Sequence, residues 1–163
     1  MTTPDDRLSR LVRAGLVTAL IDGLFSSVLS EVAYGSTVAR LFQGVASVLI
    51  GPQAMSGGAP TAALGVAMHV CVAFFWSAVF LYLVLRMPWV KRVLESSYGV
   101  VRIAALYGPF VWMVMSLVVI PVMVQRPPSI TIRWWIQLFG HFPFVGLPIV
   151  ASSVRPPFPA GKV

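Results

Sequence analysis

Three titratable side chains sit where the apolar runs of this sequence would otherwise be unbroken: Asp22, His69 and His141. An ionisable group inside a bilayer is costly unless it is paired or hydrated, so each of them needs a physical reason. At about 1.5 Å of rise per helical residue, Asp22 lies roughly 13 Å beyond Arg13. His69 lies roughly 12 Å into the run that starts at Thr61, and His141 roughly 13 Å into the run that starts at Ile132. In a hydrocarbon layer about 30 Å thick all three approach the midplane, so a compact bundle can bring them together.

A carboxylate and two imidazoles at one depth can act in several ways. They can hydrogen-bond to one another, or to carbonyls freed near Pro143 and Pro148, and so hold helices together. They can relay a proton or ion, because a histidine beside a carboxylate titrates near neutral pH. His69 and His141 on facing helices can ligate a haem b axially, and Asp22, His69 and His141 together can ligate a metal ion. No nucleophile–base pair, phosphate-binding glycine loop or pair of carboxylates occurs at usable spacing, and Gly57-Gly58 reads as a loop breaker. We therefore expect a protein that is not an enzyme. The single cysteine, Cys71, excludes an internal disulfide and, within Val70-Cys71-Val72-Ala73-Phe74, reads as a small buried hydrophobe. Glu31 is expected to be solvated or paired with Arg40, and Ser26, Ser27 and Ser30 form a small polar stripe suited to close helix packing.

The elements that must position these residues follow from hydrophobicity. The chain is 58% hydrophobic and 10% charged, against roughly 25% charged residues in an ordinary soluble domain. Its mean hydropathy is +0.86. The apolar residues fall into runs long enough to span a bilayer: about 14–34, 61–85, 98–123 and 132–154. The fold class expected is thus all-α, an integral membrane four-helix bundle forming one domain over 1–163. Residues 37–50 are too short to span and carry Leu41, Phe42, Val45, Val48 and Leu49 at helical spacing. They predict an additional amphipathic helix, interfacial or re-entrant and packed on the bundle. Pro109 and Pro121 are expected to kink or end the third span, and Trp134 and Trp135 to join an interfacial aromatic belt. Lys91 to Ser97 reads as a hydrophilic loop, and the tail from Arg155 as extended. A cleaved signal peptide ending near Ala33-Tyr34-Gly35 is disfavoured, because Asp22 interrupts an apolar region longer than a signal core.

The net charge of +7 comes from cations at the ends of these runs. Nine of them, Arg7, Arg10, Arg13, Arg86, Lys91, Arg92, Arg102, Arg155 and Lys162, fall on one side, against Arg40, Arg126 and Arg133 on the other. Positive charge collects in the cytoplasm, which predicts cytoplasmic N- and C-termini. The same cations attract anionic lipids, and no basic tract is interleaved with soluble aromatics as nucleic-acid binding would require.

The series Val38-Ala39-Arg40-Leu41-Phe42-Gln43-Gly44-Val45-Ala46-Ser47 is followed by Ala62-Ala63-Leu64-Gly65-Val66-Ala67-Met68-His69. Leu106-Tyr107-Gly108, Leu117-Val118-Val119-Ile120-Pro121, Gly140-His141 and Val145-Gly146-Leu147-Pro148-Ile149 come after. In this order they resemble the small bacterial inner-membrane proteins of unknown function related to the YagU-like family, over roughly residues 14–155. The resemblance implies four helices, a bacterial inner membrane, and an acidic residue in the first helix with a histidine in each of the second and fourth. Asp22, His69 and His141 fall on those places. It implies no reaction. The function expected is a non-catalytic accessory or structural subunit, packed against other integral membrane protein subunits of a larger complex, respiratory or photosynthetic. The alternatives are a small transporter or proton-conducting protein using Asp22, His69 and His141, or a bis-histidine b-type cytochrome.

Overall fold

Hydrophobic runs of this length satisfy their backbone only as helices, and helices are what form. The computed structural model describes residues 4–154. Helix α1 (Pro4–Val28) ends in a wide π turn (Leu29–Ala33), and α2 (Val38–Ile50) follows. A 3-10 turn (Pro52–Ser56) leads into α3 (Gly58–Tyr82), then α4 (Pro88–Leu94) and α5 (Gly99–Val114). A second π turn (Met115–Val119) joins α5 to α6 (Ile120–Val124), and a third (Phe142–Gly146) joins α7 (Ile132–His141) to α8 (Leu147–Ser153). Among the described residues, four continuous helical stretches are long and apolar enough to cross a membrane: Asp6–Ala33, Gly58–Arg86, Gly99–Val124 and Ile132–Ser153. The protein is an all-α, multi-pass membrane bundle.

The first span starts earlier than the apolar run because Arg7, Arg10 and Arg13 belong to its helix. Two of these arginines close the bundle. Arg10 Nη1 donates to the Ser153 carbonyl at 2.9 Å and Arg13 Nη2 to the Ser152 carbonyl at 2.6 Å. The last carbonyls of α8 have no partner within their own helix, and cations favour that end of the dipole. These bonds place the start of the first span and the end of the fourth at one end of the bundle. The apolar core fills that half, where Trp76, Phe80, Ile103, Tyr107, Ile149 and Val150 pack together. The Tyr107 hydroxyl donates to the Trp76 carbonyl at 2.7 Å, bracing α5 on α3.

The prolines do not simply break the spans. Pro109 lies inside an uninterrupted α5. Pro121 and Pro148 each lack the N–H that would bond four residues back, to Leu117 and Phe144, and their rings crowd those carbonyls. In both cases the backbone widens into the π turn just before. Close crossings depend on two glycines. A side chain on Gly108 would strike the backbone of His141 and Phe142, and one on Gly65 would strike the backbone of Phe42. The missing Cβ lets α5 meet the α7 end and lets α2 lie directly on α3.

Some sequence expectations hold and others need correction. The segment 37–50 is helical and capped by Thr37, whose hydroxyl accepts from the Arg40 N–H at 3.2 Å. It packs on the bundle along α3, burying Gln43 and Ala46, as the expected additional helix. Pro88–Leu94 forms a short helix that buries Val90, where a hydrophilic loop was expected. Cys71 is exposed on the outside of α3, not buried. Trp134 turns inward and donates to Ser116 Oγ at 2.9 Å, so only Trp135 of that pair faces outward. Glu31 is exposed, and no ion pair joins it to Arg40 among the described residues. The tail from Arg155 lies outside the described residues.

A candidate proton site at mid-bundle

Asp22, His69 and His141 each lie within three residues of the centre of their spans. All three line one cavity of about 180 Å³, with Thr18 beside Asp22, Val45 reaching in from α2, and Trp112 from the centre of the third span. The expected triad therefore shares one space, although its members are not equivalent.

His69 Nε2 lies 3.0 Å from the Ala19 carbonyl of α1. A carbonyl only accepts, so this nitrogen carries a hydrogen and donates it. The other nitrogen, Nδ1, faces Asp22 Oδ2 at 3.9 Å, within ion-pair range but beyond direct hydrogen-bond length. If the ring is neutral, Nδ1 presents a lone pair to the carboxyl oxygen. Two lone pairs repel, so a proton on either partner would favour this approach: on Nδ1 it gives imidazolium and carboxylate, on Asp22 imidazole and carboxylic acid.

The second carboxyl oxygen, Asp22 Oδ1, is buried and has no hydrogen-bond partner among the described residues, and neither has the buried Thr18 hydroxyl one turn earlier. Unpaired polar groups at such depth are costly, so a cavity that gathers several of them has the character of a hydrated or ligand-receiving site. Nearby, His141 Nδ1 donates to the Gln137 carbonyl one turn back, at 2.7 Å. That bond leaves Nε2 as the nitrogen free to gain or lose a proton. The ring packs against Trp112, centroid to centroid 4.8 Å, and His141 lies within electrostatic reach of Asp22.

Two further sequence readings bear on this arrangement. Among the described residues no group of three His, Cys, Asp or Glu side chains converges tightly enough to hold a metal ion. For haem ligation by His69 and His141, the geometry offers one committed ring nitrogen on His69, donating to the Ala19 carbonyl, and a cavity of about 180 Å³ between the two rings.

Sequence reasoning passed over Thr18, Trp112 and Gln137. A usable signal exists for two of them. Thr18 precedes Asp22, and Gln137 precedes His141, by four residues, so each polar pair shares a helix face in an apolar run. For Trp112 nothing in the sequence distinguishes this indole from the other four.

The chain matches no protein-family model, and no curated protein or solved structure is detectably similar to it.

Proposed function

We propose that the protein is a small proton-exchanging carrier of a bacterial inner membrane, with both chain ends cytoplasmic, in which Asp22 and His69 take up and release the proton. The observation that carries this reading is the hydrogen-bond pattern of His69. One ring nitrogen is committed to Ala19, and the other faces the Asp22 carboxyl group, so the pair is placed to share one proton. The cavity beside it leads to His141, whose unengaged nitrogen is a natural second station. About 180 Å³ has room for the few waters that would complete such a relay. On this reading the protein is no enzyme, and membership of the YagU-like family is proposed from the sequence resemblance alone.

The test is proton flux into liposomes that hold the purified full chain and a trapped pH dye, driven by a pH step. We expect flux above empty liposomes, reduced about ten-fold or more by Asp22→Asn and strongly reduced by His69→Ala. Flux equal to that of empty liposomes, or unchanged by Asp22→Asn, would overturn the proposal.

A competing reading is an accessory subunit of a larger membrane assembly. Its support is the ridge Leu16, Leu20, Leu24 and Val28, one row of large exposed side chains along α1, which suits a neighbouring helix as well as lipid. Native gels in mild detergent, with mass spectrometry of co-migrating bands, separate the two. A defined partner together with no flux favours the subunit.

A further inference from the structure

At the end of the bundle opposite the Arg10–Ser153 closure, a second cavity of about 310 Å³ opens between the end of the third span and the start of the fourth. It meets the mid-bundle cavity at Trp112 and Ile120, which line both. Its polar lining is one-sided. Arg126 and Arg133 face it, and among the described residues no carboxylate does. Three of its lining side chains carry a buried polar atom with no partner among the described residues: Tyr34 Oη, Trp112 Nε1 and Gln137 Oε1. The Arg133 guanidinium is held 4.1 Å over the Tyr34 ring, which fixes a cation at this mouth. Burial pushes the Tyr34 phenol up, with the Arg133 charge opposing, so the hydroxyl keeps its hydrogen.

We propose that this cavity binds a small organic anion, a monocarboxylate with a flat or aromatic body, and that this is the solute carried with the proton; this second clause rests on the proton-exchange reading above. The two guanidinium groups match a carboxylate through paired N–H donors. Trp112 and Trp134 flank the body of the ligand with aromatic surface. Tyr34 Oη and Trp112 Nε1 donate to it, and the Gln137 amide, whose oxygen and nitrogen can exchange places by a flip, meets a polar substituent. The volume stands at the lower edge of small-ligand sites, enough for a one-ring acid. Trp112 and Ile120, which line both cavities, set the anion beside the space that holds Asp22 and His69.

Binding of radiolabelled benzoate to the full chain in phosphatidylcholine nanodiscs tests the site, with benzamide as the neutral isostere. We expect saturable binding that benzamide does not displace, weakened about ten-fold or more by Arg126→Gln and by Arg133→Gln. Both arginines are exposed, so these variants should fold, and an unchanged melting temperature in the same discs checks that. Tyr34→Phe keeps the ring beneath Arg133 and should weaken binding by a smaller factor. No saturable binding, displacement by benzamide, or insensitivity to both arginine variants overturns the proposal. Loss of benzoate binding in phosphatidylglycerol discs would also overturn it, because it would assign the arginines to a lipid headgroup. Benzoate binding without proton flux keeps the anion site and removes the carrier reading, whereas flux without binding does the reverse.

Discussion

Asp22 and His69 lie on different helices, α1 and α3, and each leaves the other stranded if it is removed. His69→Ala deletes both the donor to the Ala19 carbonyl and the partner of Asp22 Oδ2. Polar contacts between membrane helices are worth about 0.6–2 kcal/mol each, because the unfolded chain in the membrane also finds partners. We expect His69→Ala to cost about 1–2 kcal/mol in a detergent unfolding titration. Asp22→Asn combined with His69→Ala should cost less than the sum of the two, since both act on one pair. Strict additivity would mean that the 3.9 Å approach carries no coupling. His141→Ala should couple more weakly to His69→Ala, because the Gln137 carbonyl that it leaves lies on its own helix.

The elements are held by close backbone crossings as much as by side chains. Gly108 meets the backbone of His141 and Phe142, which is rigid, so a methyl group there cannot be accommodated by a rotamer change. Gly108→Ala should destabilise the bundle by about 1–3 kcal/mol through overpacking, and it should disturb the proton site, because His141 moves with its backbone. Gly44→Ala is the matched control within α2: an added Cβ meets nothing within 4 Å, and helix propensity favours alanine by up to about 1 kcal/mol. Thermal unfolding of the two variants in the same detergent checks this. Equal melting temperatures would show that the α5–α7 crossing is looser than described. The π turns before Pro121 and Pro148 belong to the same scale: each lets a proline stand in a span without ending it at once.

For the whole molecule, the closure of α8 by Arg10 and Arg13 and the count of four spans put both ends of the described chain on one side. The distribution of cations then proposes that this side is cytoplasmic. Cysteine labelling in a Cys71→Ala background checks it. Because Cys71 is exposed on α3, that substitution should cost little stability. Thiols placed at positions 3 and 160 should resist a membrane-impermeant reagent in intact cells, and one placed at 129 should react. Labelling at 3 and 160 from outside would invert the proposed topology, and the Arg126–Arg133 mouth would then face the cytoplasm.

The helices and their number were legible in the chain because a bilayer leaves the backbone no alternative. Runs such as 61–85 must satisfy every N–H and C=O internally. The depth of Asp22, His69 and His141 was legible for a related reason: helical rise is constant, so counting residues measures distance. The faces of the helices were not legible. Cys71 and Trp134 sit in stretches apolar on every side, where lipid and protein core look alike to a hydrophobicity pattern, and only packing decided that one faces outward and the other in. The same holds for the seat of α2, settled by the fit of Phe42 over Gly65, and for α4, whose Val90 becomes buried only after the spans have assembled. What tertiary structure alone decided at the site is how each imidazole is oriented. His69 is pinned by a carbonyl fifty residues away in sequence, and that long-range bond turns its other nitrogen towards Asp22.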